Sequence, residues 1–528
     1  MDDVWALIGC KIASIMPSPL GYYPDAELVF GIVSPIGVDY RAVVDSLKNY
    51  LDQFDYSAQV IKISDHFEDI ASKLGVTVPT PLNCNAKDAM WRKIELGDRI
   101  CEVTSRNDVL AYIAIAAIEK SRVFEGDPKD PRSKPKTAHI IISLKRPEEV
   151  AILRRVYGPG FFLISIAANE DDRDRYFDER GFDEEARTEL IETDAAEKND
   201  FGQHTRDTFY LSDVFVSLDD HSHQIERFLD LVFGCPFRTP TFEERSMYLA
   251  YAASLSSGDL ARQVGAALMN KLGDCLGIGW NDVPKPFGGL YGSEPGAHRD
   301  MDEEEDSNDI EKFGMAVKII CALKPEVLAE DARANAKNML KGTGFFDITE
   351  FGRAVHAEMA AILACSRTGR SPVDCTLFVT TFPCHNCTRH IIAAGLSRVY
   401  YIEPYAKSKA LKLHADACTE SKEDKDRIPF LPFIGIGPRR YLDLFSLSLG
   451  TGYPIKRKND ADGKLTEWVR KSAAPRLQMA PVSYLIREGL ASASLSRLLL
   501  SAQKNLIQNG VPNESSGANT LGSNQPSS

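Results

Sequence analysis

The sequence lacks the long apolar runs and the basic leader that would send a chain to a membrane. None of its apolar stretches reaches the roughly 18 consecutive residues that a membrane-spanning helix needs. Its first residues, Met-Asp-Asp-Val-Trp, carry no basic region ahead of an apolar one, as a secretory signal would. We therefore expect a cytoplasmic protein without a membrane partner.

An excess of positive charge and a high cysteine density are also missing. Lys and Arg number 62 against 75 Asp and Glu, which gives a net charge of −13. This balance argues against a broad nucleic-acid-binding surface, although a local basic patch is compatible with it. The 11 cysteines are scattered over 528 residues. That density favours metal binding in a reducing compartment over a disulfide framework.

The length and composition predict two or three globular domains. Hydrophobic residues make up 44% and charged residues 26% of the chain, which is enough material for a sizeable core. We expect a first domain over residues 25–233 and a second over 238–449. Residues 283–350 form an insertion in the second domain, and the acidic run within it, residues 300–309, is interpreted as a flexible exposed loop. Residues 501–528, rich in Asn, Ser, Gly and Pro, are predicted to be disordered.

The first domain opens with a strand, a glycine-bearing turn and a helix. The strand is predicted over residues 26–33, the turn over 34–39 and the helix over about 38–54. This layout places backbone N–H groups and a helix N-terminus around a phosphate. Further apolar runs of strand length alternate with long helical stretches, which is typical of a parallel α/β sheet.

The turn departs from a complete phosphate-binding loop. A Walker loop reads Gly-x4-Gly-Lys-Ser/Thr. With Gly37 as the second glycine, Val38 stands in the lysine position and Asp39 in the hydroxyl position. A tight turn without a ligand is the alternative interpretation. We assign nucleotide contacts in this domain to Gly31, Ser34, Ile36, Gly37, Val38 and Asp39.

Downstream arginines favour a nucleotide site over an empty turn. Arg146, Arg173 and Arg175 follow the later strands, a pattern that resembles nucleoside-monophosphate kinases. Because the loop lysine is missing, we expect a degenerate P-loop kinase-like domain that senses a nucleotide effector rather than transferring phosphate.

The second domain contains the strongest motif in the sequence. His356-Ala-Glu358 is followed after 24 residues by Pro383-Cys384-His-Asn-Cys387. One imidazole and two thiolates form a three-residue Zn²⁺ ligand set that leaves a position open for chemistry. Glu358 is placed to move protons rather than to bind metal, and the ordered motif is the signature of zinc-dependent nucleobase deaminases. The alternative is a structural zinc completed by a further cysteine, Cys365 or Cys375.

Helices and strands around this motif predict an α-β-β-α-β-α-β order. The two ligand-bearing segments come at the starts of predicted helices over residues 355–367 and 384–394, with strands at 374–381 and 398–401. We expect a three-layer sandwich that holds the zinc between two helix starts.

Four motifs carry a family resemblance: Arg262-Gln-Val-Gly-Ala-Ala267, Gly279-Trp-Asn281, His356-Ala-Glu358 and Thr380-Thr-Phe-Pro-Cys-His-Asn-Cys387. They resemble the deoxycytidylate deaminase family within the cytidine deaminase superfamily. The whole chain is similar, over residues 26–447, to bacterial two-domain dCTP deaminases of anti-phage defence. The implied fold is α/β, a P-loop kinase-like parallel-sheet domain followed by a cytidine deaminase-like α-β-α sandwich.

The resemblance also implies a function and a set of partners. It implies hydrolysis of dCTP and/or dCMP to dUTP or dUMP with release of ammonia, and depletion of dCTP during phage infection. It further implies a homo-oligomer, control through the first domain, and repression by an inhibitory RNA or protein. Substrate contacts are expected at Arg262, Asn281, Ala357, Thr381 and Tyr405.

Two other functions use the same sequence features. An RNA or single-stranded DNA deaminase acting on cytosine or adenine carries the same zinc signature, but the acidic charge and the lack of a basic, aromatic-interleaved stretch disfavour it. A non-catalytic nucleotide-sensing protein is the second alternative, and the complete motif disfavours it.

Overall fold

The computed structural model describes residues 23–76, 78, 86–122, 133–196, 199–348, 350–405 and 408–508. The chain forms two compact units. Unit 1 comprises Met1–Arg238 and Leu442–Ser528, and unit 2 comprises Thr239–Tyr441. Along the part of the chain that the structure describes, no helix combines the length and apolar character needed to cross a bilayer.

Unit 1 is built on a parallel sheet. Its strands are β1 Leu28–Val33, β2 Ser57–Lys62, β3 Thr137–Ile142, β4 Phe161–Ala167 and β5 Val214–Ser217. They pair in parallel in the spatial order β5-β4-β1-β3-β2. Every residue of β1 and β3 is buried, as expected for strands covered on both faces. The prediction of a parallel α/β sheet is therefore confirmed.

Helices surround this sheet. Their bounds are Arg41–Gln53, Phe67–Leu74, Ala86–Thr104, Val109–Ser121, Pro147–Tyr157, Glu170–Asp178, Glu184–Ala196, Thr205–Phe209, His221–Val232 and Pro481–Gln508, with Tyr441–Phe445 at the boundary of the two units. The core combines apolar side chains of the strands with those of the helices Val109–Ser121 and Pro147–Tyr157.

The C-terminal segment corrects two predictions. The chain from Leu442 onward belongs to unit 1, whereas the sequence assigned residues up to 449 to the second domain. The helix Pro481–Gln508 shows that the prediction of disorder is wrong for residues 501–508. Tyr484, Leu495 and Ala502 of this helix are buried in the core of unit 1, and this tertiary packing overrides the polar composition. The rest of the predicted tail, residues 509–528, lies outside the described residues, as do residues 1–22.

Unit 2 contains a mixed sheet. Its strands are β6 Gly265–Met269, β7 Cys275–Trp280, β8 Thr376–Thr381, β9 Arg398–Glu403, β10 Cys418–Thr419 and β11 Ile428–Pro432; the two-residue strand β12, Gly435–Ile436, is not part of this sheet. The main sheet has the order β10-β11-β9-β8-β6-β7, in which β6 is antiparallel to β7 and β8 and the other pairs are parallel. The helices Phe242–Ser254, Ala357–Arg367, His385–Ala393 and Ala410–Leu413 complete it. The element order agrees with the predicted α-β-β-α-β-α-β succession.

The insertion at 283–350 contains helices, two of which overlap the acidic run that was predicted to be a flexible loop. It contains the helices Asp300–Glu303, Ser307–Leu323 and Ala329–Met339. The two longer helices share a small core of Ala316, Ile320, Ala332 and Ala336. The interpretation of the acidic run at 300–309 as a flexible loop is therefore wrong, because the helix Asp300–Glu303 and the start of the helix Ser307–Leu323 fall within it. Part of the acidic run starts helices, where carboxylates are favourable: the Asp306 side chain accepts a hydrogen bond from the Asp309 N–H, at 3.0 Å.

Candidate metal centre and surrounding residues

Three predicted ligands converge where two helices of unit 2 begin. His356 is the N-cap of the helix Ala357–Arg367 and Cys384 is the N-cap of the helix His385–Ala393. Nδ1 of His356 lies 3.4 Å from Sγ of Cys384 and 3.3 Å from Sγ of Cys387. All three donor atoms lie within 4.8 Å of one another. One imidazole and two sulfur ligands at this spacing fit zinc.

The alternative of a fourth cysteine ligand finds no support among the described residues. Sγ of Cys365 contacts the carbonyl oxygen of Arg370, at 3.4 Å, and Sγ of Cys375 contacts that of Ser371, at 3.8 Å. Neither belongs to the cluster of His356, Cys384 and Cys387.

The site favours a thiolate at Cys384. Hydrogen bonding from Cys387, followed by that from His356, lowers the pKa of Cys384 to about 4 against the opposing effect of burial. Hydrogen bonding to Cys384 raises the pKa of His356 to about 9. The position of Cys384 at a helix N-terminus stabilises negative charge further. A thiolate is the form of cysteine that binds metal.

Glu358 lies beside the three ligands and outside their cluster. It is in the first turn of the helix Ala357–Arg367, it is 4% exposed, and burial raises the pKa of its carboxyl group. The carboxyl group hydrogen-bonds with Cys387. A buried carboxyl group whose pKa is raised toward neutrality is suited to general acid and base chemistry.

Two glycines of β7 allow this helix to lie against the sheet. A Cβ atom on Gly279 would lie 2.2 Å from the carbonyl oxygen of Ala357, and one on Gly277 would lie 2.2 Å from that of Ala361. Only glycine permits so close an approach. Ala357, a predicted substrate contact, is fully buried at this contact, and its neighbours His356 and Glu358 are positioned by it.

Asn281, another predicted substrate contact, holds the chain in place. Its Oδ1 accepts a hydrogen bond from the Val264 N–H, at 2.7 Å, and its Nδ2 donates one to the Arg262 carbonyl, at 2.8 Å. The next residue, Asp282, forms a β-bridge with Val355 just before His356. Asn281 therefore ties the segment at 262–264 to the strand end that runs beside the metal ligands.

The structure brings Arg262, Thr381 and Tyr405 together around Glu403, a residue that the sequence did not single out. Arg262 Nη1 lies 3.0 Å from Glu403 Oε1, and Thr381 Oγ1 donates to Oε2 at 3.2 Å. The Arg262 guanidinium lies 5.6 Å from the centroid of the Tyr405 ring. Thr381 and Glu403 are register partners at the ends of β8 and β9. No local pattern in the sequence reports that these two strands end in register.

The predicted nucleotide loop of unit 1 divides into two groups. Ser34, Ile36, Gly37 and Val38 line a cavity of about 310 Å³. Gly31 and Asp39 do not line it. Gly31 lies inside β1, where an added Cβ would meet Leu144 and Phe161 side chains, and Asp39 pairs with Arg41 at 2.7 Å.

Two of the three arginines that suggested a phosphate clamp are engaged within the protein. Arg146 is buried, donates a hydrogen bond to the Phe201 carbonyl at 2.7 Å and forms an ion pair with Asp98. Arg173 donates to the carbonyl of Ile36, at 3.1 Å.

Comparison with known proteins connects unit 2 to a family. Residues 240–403 match the family model described as the cytidine and deoxycytidylate deaminase zinc-binding region. ComE operon protein 2 of Bacillus subtilis (strain 168) is 47% identical over 53 residues, which are 10% of this chain and 28% of the relative. Deoxycytidylate deaminase of Enterobacteria phage T4 is 40% identical over 55 residues, 10% of this chain and 28% of the relative. The human deoxycytidylate deaminase is 24% identical over 159 residues, 30% of this chain and 63% of the relative. The chain thus spans less than two thirds of the length of each of these relatives.

Solved structures give weaker likenesses. The apo dCMP deaminase from the cyanophage S-TIM5 is 18% identical, with 37% of this chain and all of that chain covered, at a TM-score of 0.21. A chain from a study of A-to-I editing by tRNA:A34 deaminases is 16% identical, with 36% of this chain and 97% of that chain covered, at a TM-score of 0.18.

Proposed function

From the premise that unit 2 carries a deoxycytidylate deaminase-family domain, we propose that the chain is a hydrolase of deoxycytidine nucleotides. It converts dCTP, dCMP or both to the uracil nucleotides and releases ammonia. The observation that carries the proposal is the buried carboxyl group of Glu358, held against Cys387 beside a His-Cys-Cys ligand set.

His356, Cys384 and Cys387 would hold a zinc ion, since their donor atoms converge and Cys384 favours the thiolate. When bound there, zinc supplies a nucleophile at neutral pH, because it lowers the pKa of water from about 16 to about 7.

Glu358 then moves the protons of the reaction. Attack at C4 of cytosine requires a proton at ring N3, and loss of ammonia requires a proton at the exocyclic amine. One carboxylate would serve both steps: it takes one proton from the attacking water and delivers it to ring N3, and it then takes the remaining proton of the hydroxyl group on C4 and delivers it to the exocyclic amine, which leaves as ammonia. The near-complete burial of Glu358 keeps this proton away from bulk solvent.

The cluster around Glu403 supports nucleotide binding next to this centre. Glu403 holds both Arg262 and Thr381, and the Arg262 side chain is 48% exposed, so its guanidinium is accessible to an anionic substrate. We assign base and sugar contacts to Tyr405, Thr381 and Asn281, with Ala357 forming part of the wall. A free nucleotide suits the net charge of −13 better than a polynucleotide does.

The biological role is proposed from the same resemblance. Turnover of dCTP would deplete a precursor of phage DNA, so the chain would act as a defence effector in the cytoplasm. We propose that it acts as a homo-oligomer, that unit 1 controls the deaminase, and that an RNA or protein partner represses it before infection.

One assay tests the substrate. The purified chain, with and without chelator, is given dCTP, dCMP, deoxycytidine and a cytosine-containing single strand, and ammonia is measured. We expect chelator-sensitive release from dCTP or dCMP. Release from the strand alone would replace the proposal with a polynucleotide deaminase, and no release from any of them would favour a nucleotide-sensing protein.

A pair of variants tests the role of Glu358. Glu358→Ala is expected to abolish turnover while zinc content stays at the parent level. The exposed Glu311 on the helix Ser307–Leu323 provides the control Glu311→Ala, which should keep both properties. Loss of zinc from Glu358→Ala would instead assign Glu358 a ligand role.

A further inference from the structure

The cavity of unit 1 lies at a position in the sheet where open parallel sheets bind ligands. From β1 the chain passes β3 to reach β2, and from β3 it crosses β1 to reach β4. The two connections leave in opposite directions, and ligands bind in the crevice outside the carboxyl ends of such strands. Ile32 near the end of β1, Ile142 at the end of β3 and Ser143 line the cavity.

The cavity combines an apolar wall with cations. Its apolar side chains include Phe67, Met90, Ile94, Leu110 and Tyr176. Lys62, Lys93 and Lys145 also line it. A volume of about 310 Å³ is at the lower end of the range for small-molecule sites. This lining suits a molecule with a planar or apolar ring and an anionic group.

A carboxylate of the protein itself sits where the anionic group would bind. Asp194, on the helix Glu184–Ala196, is 2% exposed. Its Oδ2 accepts a hydrogen bond from the backbone N–H of Ile36, at 2.8 Å. Its Oδ1 accepts from Lys145 Nζ, at 2.6 Å, and from Thr205 Oγ1, at 3.0 Å. A loop N–H, an ammonium and a hydroxyl are the donors from which phosphate sites are made.

Lys145 supplies the ammonium group that the loop itself lacks, although it lies far from the loop in the sequence. It follows β3, and its Nζ also donates to the carbonyl of Ser34, at 2.6 Å. The ammonium is therefore held against the loop after β1 although the sequence places Val38 in the usual lysine position.

We propose that Asp194 is a built-in occupant of an anion subsite, and that the cavity binds a phosphorylated nucleoside whose phosphate replaces the Asp194 carboxylate on Ile36 and Lys145. Two anions cannot share these donors, so binding requires Asp194 to withdraw together with its part of the helix Glu184–Ala196. This extends the proposed control by unit 1, and it can be tested without deamination.

The binding test uses the full chain carrying Glu358→Ala, so that turnover is removed. Pyrophosphate, AMP, GMP, dTMP and adenosine are titrated calorimetrically; none contains cytosine. Asp194→Asn removes the competing charge, and we expect it to bind pyrophosphate and at least one of the nucleotides tenfold or more tightly than the parent. The affinity for adenosine, which lacks phosphate, should be the same in both proteins. Adding Lys145→Met to Asp194→Asn should abolish the gain.

The control lies on the same helix. Glu192 is exposed, so Glu192→Gln removes the same charge away from the cavity and should leave every affinity at the parent value. Equal affinities for Asp194→Asn and the parent, or no binding of any phosphorylated probe by either protein, would overturn the proposal.

A second measurement tests the proposal even if the Asp194→Asn variant does not fold, because it does not use that variant. Hydrogen exchange of the Glu358→Ala chain is followed with and without millimolar pyrophosphate. We expect faster exchange in residues 184–196 when the probe is present, because the Asp194 anchor is released. Unchanged exchange there would refute the displacement. If the Glu358→Ala chain binds these probes but the chain with Glu358 intact releases no ammonia from any cytosine substrate, this inference stands and only the deaminase assignment is overturned.

Discussion

Replacing Gly279 by alanine tests whether the position of one helix controls the chemistry of unit 2. The added Cβ would lie 2.2 Å from the carbonyl oxygen of Ala357 and 2.4 Å from the backbone nitrogen of Ala361. Both atoms belong to the backbone of the helix that starts after His356, so no side chain can rotate out of the way. Ordinary contact begins at 3.4 Å, which requires the helix or the strand to move by about 1.2 Å.

The displacement has two expected consequences. Overpacking of this kind destabilises a protein by about 1–3 kcal/mol. A shift of about 1 Å at a catalytic group costs about 100-fold in rate, and Glu358 and His356 both lie at the start of the moved helix. We therefore expect Gly279→Ala to lower the free energy of unfolding and to reduce deamination far more than partial unfolding would explain.

Two measurements separate these effects. Urea denaturation gives the loss of stability, and ammonia release at a temperature where the variant is fully folded gives the loss of rate. Gly314→Ala is the control, because nothing lies within 4 Å of the added Cβ in the helix Ser307–Leu323. That variant should be neutral or more stable by about 0.5–1 kcal/mol. A Gly279→Ala variant with parent stability and rate would refute the close-packing argument.

Three further substitutions have defined outcomes. Cys384→Ser should lose stoichiometric zinc, as measured by metal analysis. Cys321→Ser is the control and should keep its zinc, because Cys321 lies outside the ligand cluster. Zinc retained by Cys384→Ser would show that Cys384 is not a ligand. Burial raises the pKa of Glu488 to about 7, above the ordinary value of about 4.3. The protonated carboxyl group therefore contributes fully to the stability of the fold below about pH 4.3, and this contribution is lost as the pH rises through 7. The side chain in Glu488→Gln stays neutral at every pH, so the variant does not lose this contribution. We expect the difference in free energy of unfolding, variant minus parent, to increase by about 1–3 kcal/mol from pH 5 to pH 8, as measured by denaturation at both pH values. Parallel pH profiles of the two proteins would contradict this. Thr241→Ala removes the acceptor for the Glu244 N–H at the start of the helix Phe242–Ser254. We expect this change to lower the free energy of unfolding by about 1 kcal/mol, measured by thermal denaturation. An unchanged midpoint temperature would show that water replaces the cap.

Local signals in the sequence were sufficient to predict the metal centre. His356, Cys384 and Cys387 each stand at a helix start that the sequence marks, and two short motifs at a recognisable spacing identify them. The parallel sheet of unit 1 was predictable for a similar reason, since buried strands are continuous apolar runs.

The errors arose where composition was used instead of periodicity. The acidic run at 300–309 was interpreted as a flexible loop, but it includes the start of the helix Ser307–Leu323, whose Ala316 and Ile320 recur at helical spacing and help to form a small core. The chain beyond residue 501 was predicted to be disordered, but Ala502 packs in unit 1 on a helix that runs to Gln508. Short polar side chains are tolerated on the exposed face of a helix whose other face is buried.

Contacts between residues far apart in the sequence decided the rest. Glu403 gathers Arg262 and Thr381 because β8 and β9 end in register, which no local pattern reports. The Asp194 carboxylate meets the loop after β1 across 158 positions of sequence.

The sequence by itself determined which residues can bind zinc and which carboxyl group can move protons, because these properties belong to residue type and short spacing. The tertiary structure alone decided that Asn281 holds backbone, that Glu403 contacts both Arg262 and Thr381, and that Asp194 accepts hydrogen bonds from Ile36 and Lys145 in unit 1. Hydrogen bonds and ion pairs require atoms within about 3 Å, and only the folded chain brings such distant residues that close.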